Sequence, residues 1–340
     1  MNRQGWRVAS FFNPSENNRV HCTLCPHGCV IPDTKAGDCL IRCNDNGVLY
    51  TTVWGRPGEI SVGPIEERLL FHYLPGSRVF SMGTPGCNMD CSFCPCHELA
   101  RSEAPDMVQL EMGPDRIVDA AQSNRCRAIA FAFNEPVVYA EYLMEISAAA
   151  SRADIRSVAV TNGFITRSAI RDVFRHVSAA IVEIKAFDPT FYREQCRATL
   201  TDVLHATVEM AELDIHIELA TTIIPGLNDS DRAMRTQASW IRDSLGMDTP
   251  LHLKVFKPVY RLANVRETQL NTLERLAEVA RAENLRYVYV DGVKSAWNNS
   301  RCHRCGSPLI ERDGHEISSI RFEADCLCTG CGTALPFILD

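Results

Sequence analysis

The chain has 340 residues, 46% hydrophobic and 23% charged, which is the composition of a folded globular protein and excludes a disordered or fibrous one. Its net charge of −7 provides no global positive field for nucleic acid or an anionic membrane. The opening residues hold no basic stretch followed by an apolar run, and no apolar run reaches about 18 residues, so a cytoplasmic protein without a membrane partner is expected.

The chain opens on a cysteine-rich stretch with Cys22, Cys25, Cys29, Cys39 and Cys43. From residue 78 onward, short apolar runs alternate with longer amphipathic ones. Strands are expected at 78–83, 127–133, 156–161, 180–186, 215–223 and 251–256, with a last one at the edge over 286–291. Helical periodicity fills 114–125, 136–151, 166–177, 201–213, 230–245 and 265–283, and two helix starts carry proline, at Pro114 and Pro136. Such alternation requires parallel strands joined by crossover helices, hence an α/β barrel or a doubly wound sheet. The expected divisions are a lobe over 1–75, a core over 76–296 and a small module over 297–340.

Polar residues interrupt three of these strands with a spacing of two: Glu183 and Lys185, His216 and Glu218, His252 and Lys254. Period two puts each pair on one face of its strand. In a barrel these pairs are expected to point inward and line a polar site; the alternative is a set of structural ion pairs.

Sixteen cysteines without an export signal point to metal binding rather than disulfides. Only Cys126 and Cys196 stand alone, as small buried residues do. Cys87, Cys91 and Cys94 form a C-x3-C-x2-C loop directly after the first expected strand. Soft donors on one short loop can each reach a different iron of a cubane, leaving one iron open to a ligand. A zinc site completed by Cys96 or His97 is the alternative. At the end of the chain, Cys302-x2-Cys305 and Cys328-x2-Cys331 have the paired-knuckle spacing of a zinc ribbon, with Cys326 spare. Cys22, Cys25, Cys29 and Cys39 suit either a second zinc or an auxiliary iron–sulfur cluster, because both accept four thiolates.

The central loop, with Phe93 before its last cysteine, resembles the signature of the radical S-adenosylmethionine (radical SAM) superfamily. The resemblance implies a partial (β/α)6-type barrel. It also implies a [4Fe–4S] cluster held by Cys87, Cys91 and Cys94, with SAM chelated on the open iron and cleaved reductively to a 5′-deoxyadenosyl radical. Glu135 of Asn134-Glu135-Pro136 would accept the SAM ammonium. Thr161, Asn162, Glu183 and Lys185 would lie near its ribose and carboxylate, and the turn over 223–229 would back the adenine. A one-electron donor protein such as flavodoxin or ferredoxin is implied, together with a substrate these residues do not identify.

The flanks, including Cys22-Thr23-Leu24-Cys25-Pro26-His27-Gly28-Cys29 and His72-Tyr73-Leu74-Pro75-Gly76, resemble the radical SAM enzymes of the AmmeMemoRadiSam system, relatives of pyruvate formate-lyase activating enzyme. That closer resemblance adds a glycyl-radical activase as an alternative activity. A non-catalytic, zinc-stabilised binding protein is the alternative of a different class. Pro95-Cys96-His97-Glu98 departs from the relatives, which usually continue with Gln-Asn and an aromatic residue.

Overall fold

The structure is a computed structural model that describes residues 5–102, 111–322 and 324–340. Its centre is an eight-stranded sheet whose strands follow one another in chain order across the sheet. We label them β1 (Glu59–Pro64), β2 (Arg78–Gly83), β3 (Ala128–Phe131), β4 (Arg156–Thr161), β5 (Ala179–Glu183), β6 (His216–Ile223), β7 (Leu251–Val255) and β8 (Val288–Asp291). From β2 to β8 all neighbours are parallel, whereas β1 runs antiparallel beside β2. An order without reversal is that of a barrel and not of a doubly wound sheet.

The crossovers carry α1 (Pro114–Ser123), α2 (Ala140–Arg152), α3 (Arg167–Val173), α4 (Leu200–Glu212), α5 (Asp231–Ser244) and α6 (Leu270–Ala282). Pro114 sits in the first turn of α1, where its missing N–H costs nothing, and the Ser230 side chain accepts the Ala233 N–H to start α5. The expected strands and helices lie within a few residues of these. Strand β1 and the amino-terminal strands, which lack crossover helices, gave no such pattern.

Alternation along the strands divides the interior in two. Phe80, Met82, Ile129, Phe131, Ala180, Val182, Leu251 and Leu253 pack outward under the helices. Val79, Ala128, Ala130, Val158, Ala179, Ile181 and Ala220 face inward against the segment Ile65–Leu74, which fills the base of the barrel. Small inner residues make room for that segment. The chain therefore enters the main sheet at residue 59, ahead of the expected boundary at 75.

Before it, two three-stranded sheets form the amino-terminal lobe, with strands at 7–8, 42–45 and 48–51 and at 12–15, 19–22 and 30–31. The Thr166 N–H and hydroxyl, ahead of α3, bond carbonyls of Leu24 and Thr23 and hold the lobe to the barrel. After the sheet, antiparallel strands over 300–301, 308–313 and 316–320 form the carboxyl-terminal module. Its last residues return beneath the barrel, where Leu74 N donates to Ile338 O and Ile338 N to His72 O.

The three polar pairs do not line one site, as the sequence led us to expect. His216, Glu218 and His252 form a buried knot at the base. Glu218 accepts His252 Nε2 at 2.8 Å, His216 Nε2 at 3.2 Å and the N–H groups of His72 and Phe71. Burial opposes this charge, but the two histidine hydrogen bonds outweigh it and hold the carboxyl well below the usual range. Glu218 lies early in β6, so its inward side chain meets the base-filling segment. Lys254, two residues beyond His252, reaches the other end.

Candidate active site

At the carboxyl ends of the strands lies a cavity of about 230 Å³ that brings together most of the residues expected from the sequence. Cys87, Cys91 and Cys94 line it with Phe93, Glu135, Thr161, Asn162, Glu183 and Lys185.

The cysteine loop is braced on three sides. Asn134 accepts the Thr84 N–H at 3.1 Å and donates through Nδ2 to Gly86 O at 2.6 Å. Gly86 has φ +93°, and a β-carbon there would sit 2.6 Å from Cys39 O, so the loop presses on the amino-terminal lobe where no side chain fits. On the far side, Asp90 N and Ser92 N donate to the carbonyls of Cys196 and Gln195. Phe93 is buried and contacts Phe191, with ring centres 5.7 Å apart.

Around the thiols, Met89 N lies 3.5 Å and Asn162 Nδ2 3.9 Å from Cys87 Sγ, contacts that would stabilise a thiolate. Without a metal, burial first, then the Glu135 charge, raises the Cys87 thiol well above its ordinary value. Burial likewise lifts Cys94 to about 11, aided by Cys91. At Cys91 the Cys196 thiol, then burial, does the same, and three such thiols on one loop favour a bound cationic metal that takes them as thiolates.

Glu135 caps the turn after β3, its Oε1 accepting Val137 N at 3.0 Å and Thr161 Oγ1 at 2.8 Å. Oε2 accepts Asn162 N at 2.7 Å. All three donors are neutral, and burial pushes the carboxyl up to about 7 against their pull. A buried carboxylate whose hydrogen bonds all come from neutral donors is a fitting receptor for an ammonium group. Thr161 and Asn162 thus act on Glu135 and, through Asn162 Nδ2 to Asn88 Oδ1 at 3.0 Å, on the cysteine loop.

Glu183 is shared by Lys185 and by Lys254 Nζ, the latter at 2.8 Å. Burial alone would raise its carboxyl, but the two cations outweigh it and hold it well below the usual range. The turn over 223–229 stands behind the cavity. Asn228 accepts Ile224 N and donates to the carbonyls of Lys185 and Thr222, while Thr222 itself lines the cavity.

Sequence reasoning did not place Arg68 or Tyr260 here. Arg68 comes from the segment that fills the base and lies over Phe133, 4.8 Å from the ring centre. Tyr260 stacks on His97 at 4.4 Å, and both line the cavity beside Cys96. The one available signal was position, since Tyr260 follows the end of β7, where barrel loops carry function.

In the carboxyl-terminal module, the sulfurs of Cys302, Cys305, Cys328 and Cys331 lie within 4.8 Å of one another. Cys302 and Cys331 are 3.7 Å apart, Cys305 and Cys328 3.6 Å, as four ligands of one tetrahedral ion require. Cys326 stands apart and donates to Phe337 O.

The family model of the radical SAM superfamily matches residues 82–236. The uncharacterised protein MJ0808 of Methanocaldococcus jannaschii is 33% identical over 335 residues, covering 98% of this chain and 100% of its own. Among solved structures, a radical SAM methyltransferase from Sphaerobacter thermophilus shares 17% identity over 69% of this chain and 71% of its own, with a TM-score of 0.51. A domain of pyruvate-formate lyase-activating enzyme from Bacteroides vulgatus shares 16% identity over 48% of this chain and 98% of its own, with a TM-score of 0.42. The likeness to the methyltransferase is one of fold.

Proposed function

The chain belongs to the radical SAM superfamily, and from that premise we propose that it cleaves SAM at a [4Fe–4S] cluster held by Cys87, Cys91 and Cys94 and abstracts hydrogen from a substrate in the same cavity. The observation that carries this reading is the convergence of the three thiols of Cys87, Cys91 and Cys94 and the buried Glu135 on one cavity. Bound there, the two groups supply a one-electron reductive cleavage and a carbon-centred radical.

The chain's own residues position and enclose. Glu135 would receive the SAM ammonium and is fixed for that task by Thr161 and Asn162. Lys185, held against Glu183, offers a cation for the SAM carboxylate, and Lys254 keeps Glu183 ionised. Phe93 shields the loop from water. The chemistry needs one electron, so a reductant protein is part of the reading. Four sulfurs at single-ion spacing support zinc in the carboxyl-terminal module.

The test is anaerobic EPR of the dithionite-reduced protein with and without SAM, paired with assay of 5′-deoxyadenosine. The expected result is a reducible cluster whose signal changes on adding SAM, with slow release of 5′-deoxyadenosine. A protein holding zinc alone after anaerobic reconstitution would overturn the reading. For the activase alternative, a partner protein would develop a persistent glycyl-radical doublet.

A further inference from the structure

A second cavity, of about 160 Å³, lies where the edge strand β8 meets the carboxyl-terminal module. Its wall carries three guanidinium groups from three parts of the chain. Arg281 comes from the last turn of α6, Arg286 from the residues just before β8, and Arg301 from the strand that leads into Cys302. Trp297 and Asn299 stand beside them. This cavity shares no lining residue with the one at the carboxyl ends of the strands, and Arg286 sits at the opposite end of β8 from it.

The wall is built, not merely basic. Arg286 Nη1 is fixed by both oxygens of Asp248, at 2.9 and 3.0 Å. Arg281 lies over the Trp297 ring, 5.6 Å from its centre. Trp297 in turn belongs to a closed turn over 296–298. Ser295 Oγ accepts its N–H at 3.3 Å, Asn298 Oδ1 accepts Ser295 N at 2.6 Å, and the buried Asn298 Nδ2 ties the turn to Val290 O of β8. Arg301 is held by antiparallel pairing with Pro308.

The polar groups offered to an occupant are donors. Asn299 Oδ1 is taken by the Arg312 N–H at 2.8 Å, which leaves its Nδ2 to donate. The hydroxyls of Tyr287 and Tyr289, whose residues also line the cavity, are already engaged by His303 and by His72 and Ser300. Among the described residues that line the cavity none is acidic. Three cations therefore face one carboxylate, that of Asp248 behind Arg286. Glu311, whose charge reaches Arg301, is itself bound by Arg321 at 2.7 Å and Ser319 at 2.9 Å. In a chain of net charge −7 such a local surplus is not the general character of the surface. Guanidinium groups that share a small cavity repel one another unless an anion stands between them, and their planar forks match the oxygens of phosphate.

We propose that this cavity binds a phosphate group through Arg281, Arg286 and Arg301, with Trp297 flanking whatever carries it. The cavity is small beside the roughly 300–1,000 Å³ of pockets that enclose a whole drug-sized ligand, so the occupant is inorganic phosphate or the phosphate end of a small ester. It is a ligand distinct from any that meets the thiols of the central loop.

Equilibrium dialysis of the reconstituted full chain against labelled inorganic phosphate and, separately, labelled ribose 5-phosphate tests the site. The expected result at low salt is saturable binding of one of these with a Kd below about 1 mM. Arg281→Gln with Arg301→Gln should weaken it about a hundredfold, from two charge-assisted contacts at about tenfold each. Ribose 5-phosphate binding more tightly than phosphate, with the difference lost in Trp297→Ala, identifies an ester as the occupant; equal binding of the two identifies free phosphate. Should the double variant not fold, Arg281→Gln alone, on the exposed side of α6, is expected to weaken binding about tenfold. Absence of saturable binding of both probes, or binding unchanged in these variants, would overturn the proposal.

Discussion

The Oε2 atom of Glu135 accepts the backbone N–H of Asn162 at 2.7 Å, tying the turn after β3 to the end of β4 across 27 residues of chain. The same Asn162 donates to Asn88 of the cysteine loop. One carboxylate therefore sets the relative position of three loops that line the cavity.

Replacing Glu135 by alanine should lower SAM affinity about tenfold or more, the loss expected for one charge-assisted contact. Iron content should stay at the native level, because no cysteine is touched. Equilibrium binding of SAM to the reconstituted variant checks this. Unchanged affinity would leave Glu135 a purely structural cap.

Cys91→Ala should remove the SAM-responsive cluster while a metal bound by Cys302, Cys305, Cys328 and Cys331 remains. Metal analysis combined with EPR separates the two sites. A variant that keeps a SAM-responsive signal of native intensity would show that Cys91 is not a ligand.

At the base of the barrel, His72 should make the protein acid-sensitive. Its Nδ1–H donates to Pro336 O at 3.0 Å, so Nε2 is the acceptor for the Tyr289 hydroxyl at 2.7 Å. Burial lowers its pKa to about 3 from the usual 6.5. Between those values the unfolded chain binds a proton that the folded chain does not. Stability from this group is therefore full above pH 6.5 and falls as pH drops towards 3. The loss by pH 5 is about 2 kcal/mol. Urea unfolding at pH 7 and pH 5 measures it, and His72→Phe should show a smaller difference between the two.

Arg312 couples the carboxyl-terminal module to the barrel. It donates to Phe71 O at 3.1 Å and to Asn298 O and Ser300 Oγ, and lies 4.1 Å from the Phe71 ring centre. Arg312→Ala leaves two buried carbonyls unsatisfied, and should cost about 3 kcal/mol. A midpoint in urea equal to that of the native chain would contradict this coupling.

Local pattern carried much of the architecture. Strands such as Arg156–Thr161 and helices such as Leu200–Glu212 were visible because their periodicities of two and 3.6 depend only on near neighbours. The cysteine spacings were visible for the same reason, since a ligand loop is a local object. Strand β1 was hidden because an antiparallel edge strand with Gly63 and Pro64 has no crossover helix to announce it. The polar pairs misled because period two gives the face of a strand and says nothing of depth along the barrel. Glu218 and Glu183 both point inward, yet one ends in a knot at the base and the other in the cavity at the far end.

By itself, then, the sequence determined the alternation of parallel strands and helices from residue 78 onward and the three groups of cysteines, while the barrel order of the strands came from the structure. Only the tertiary structure decided which thiols converge to single-ion distance, that Arg68 and Tyr260 share the cavity with Cys91, and that Glu135 is braced by Thr161 and Asn162. The physical reason is range. Propensity and ligand spacing act over a few residues, whereas distances between sulfurs, and between a carboxylate and its donors, are fixed by packing between segments far apart in the chain.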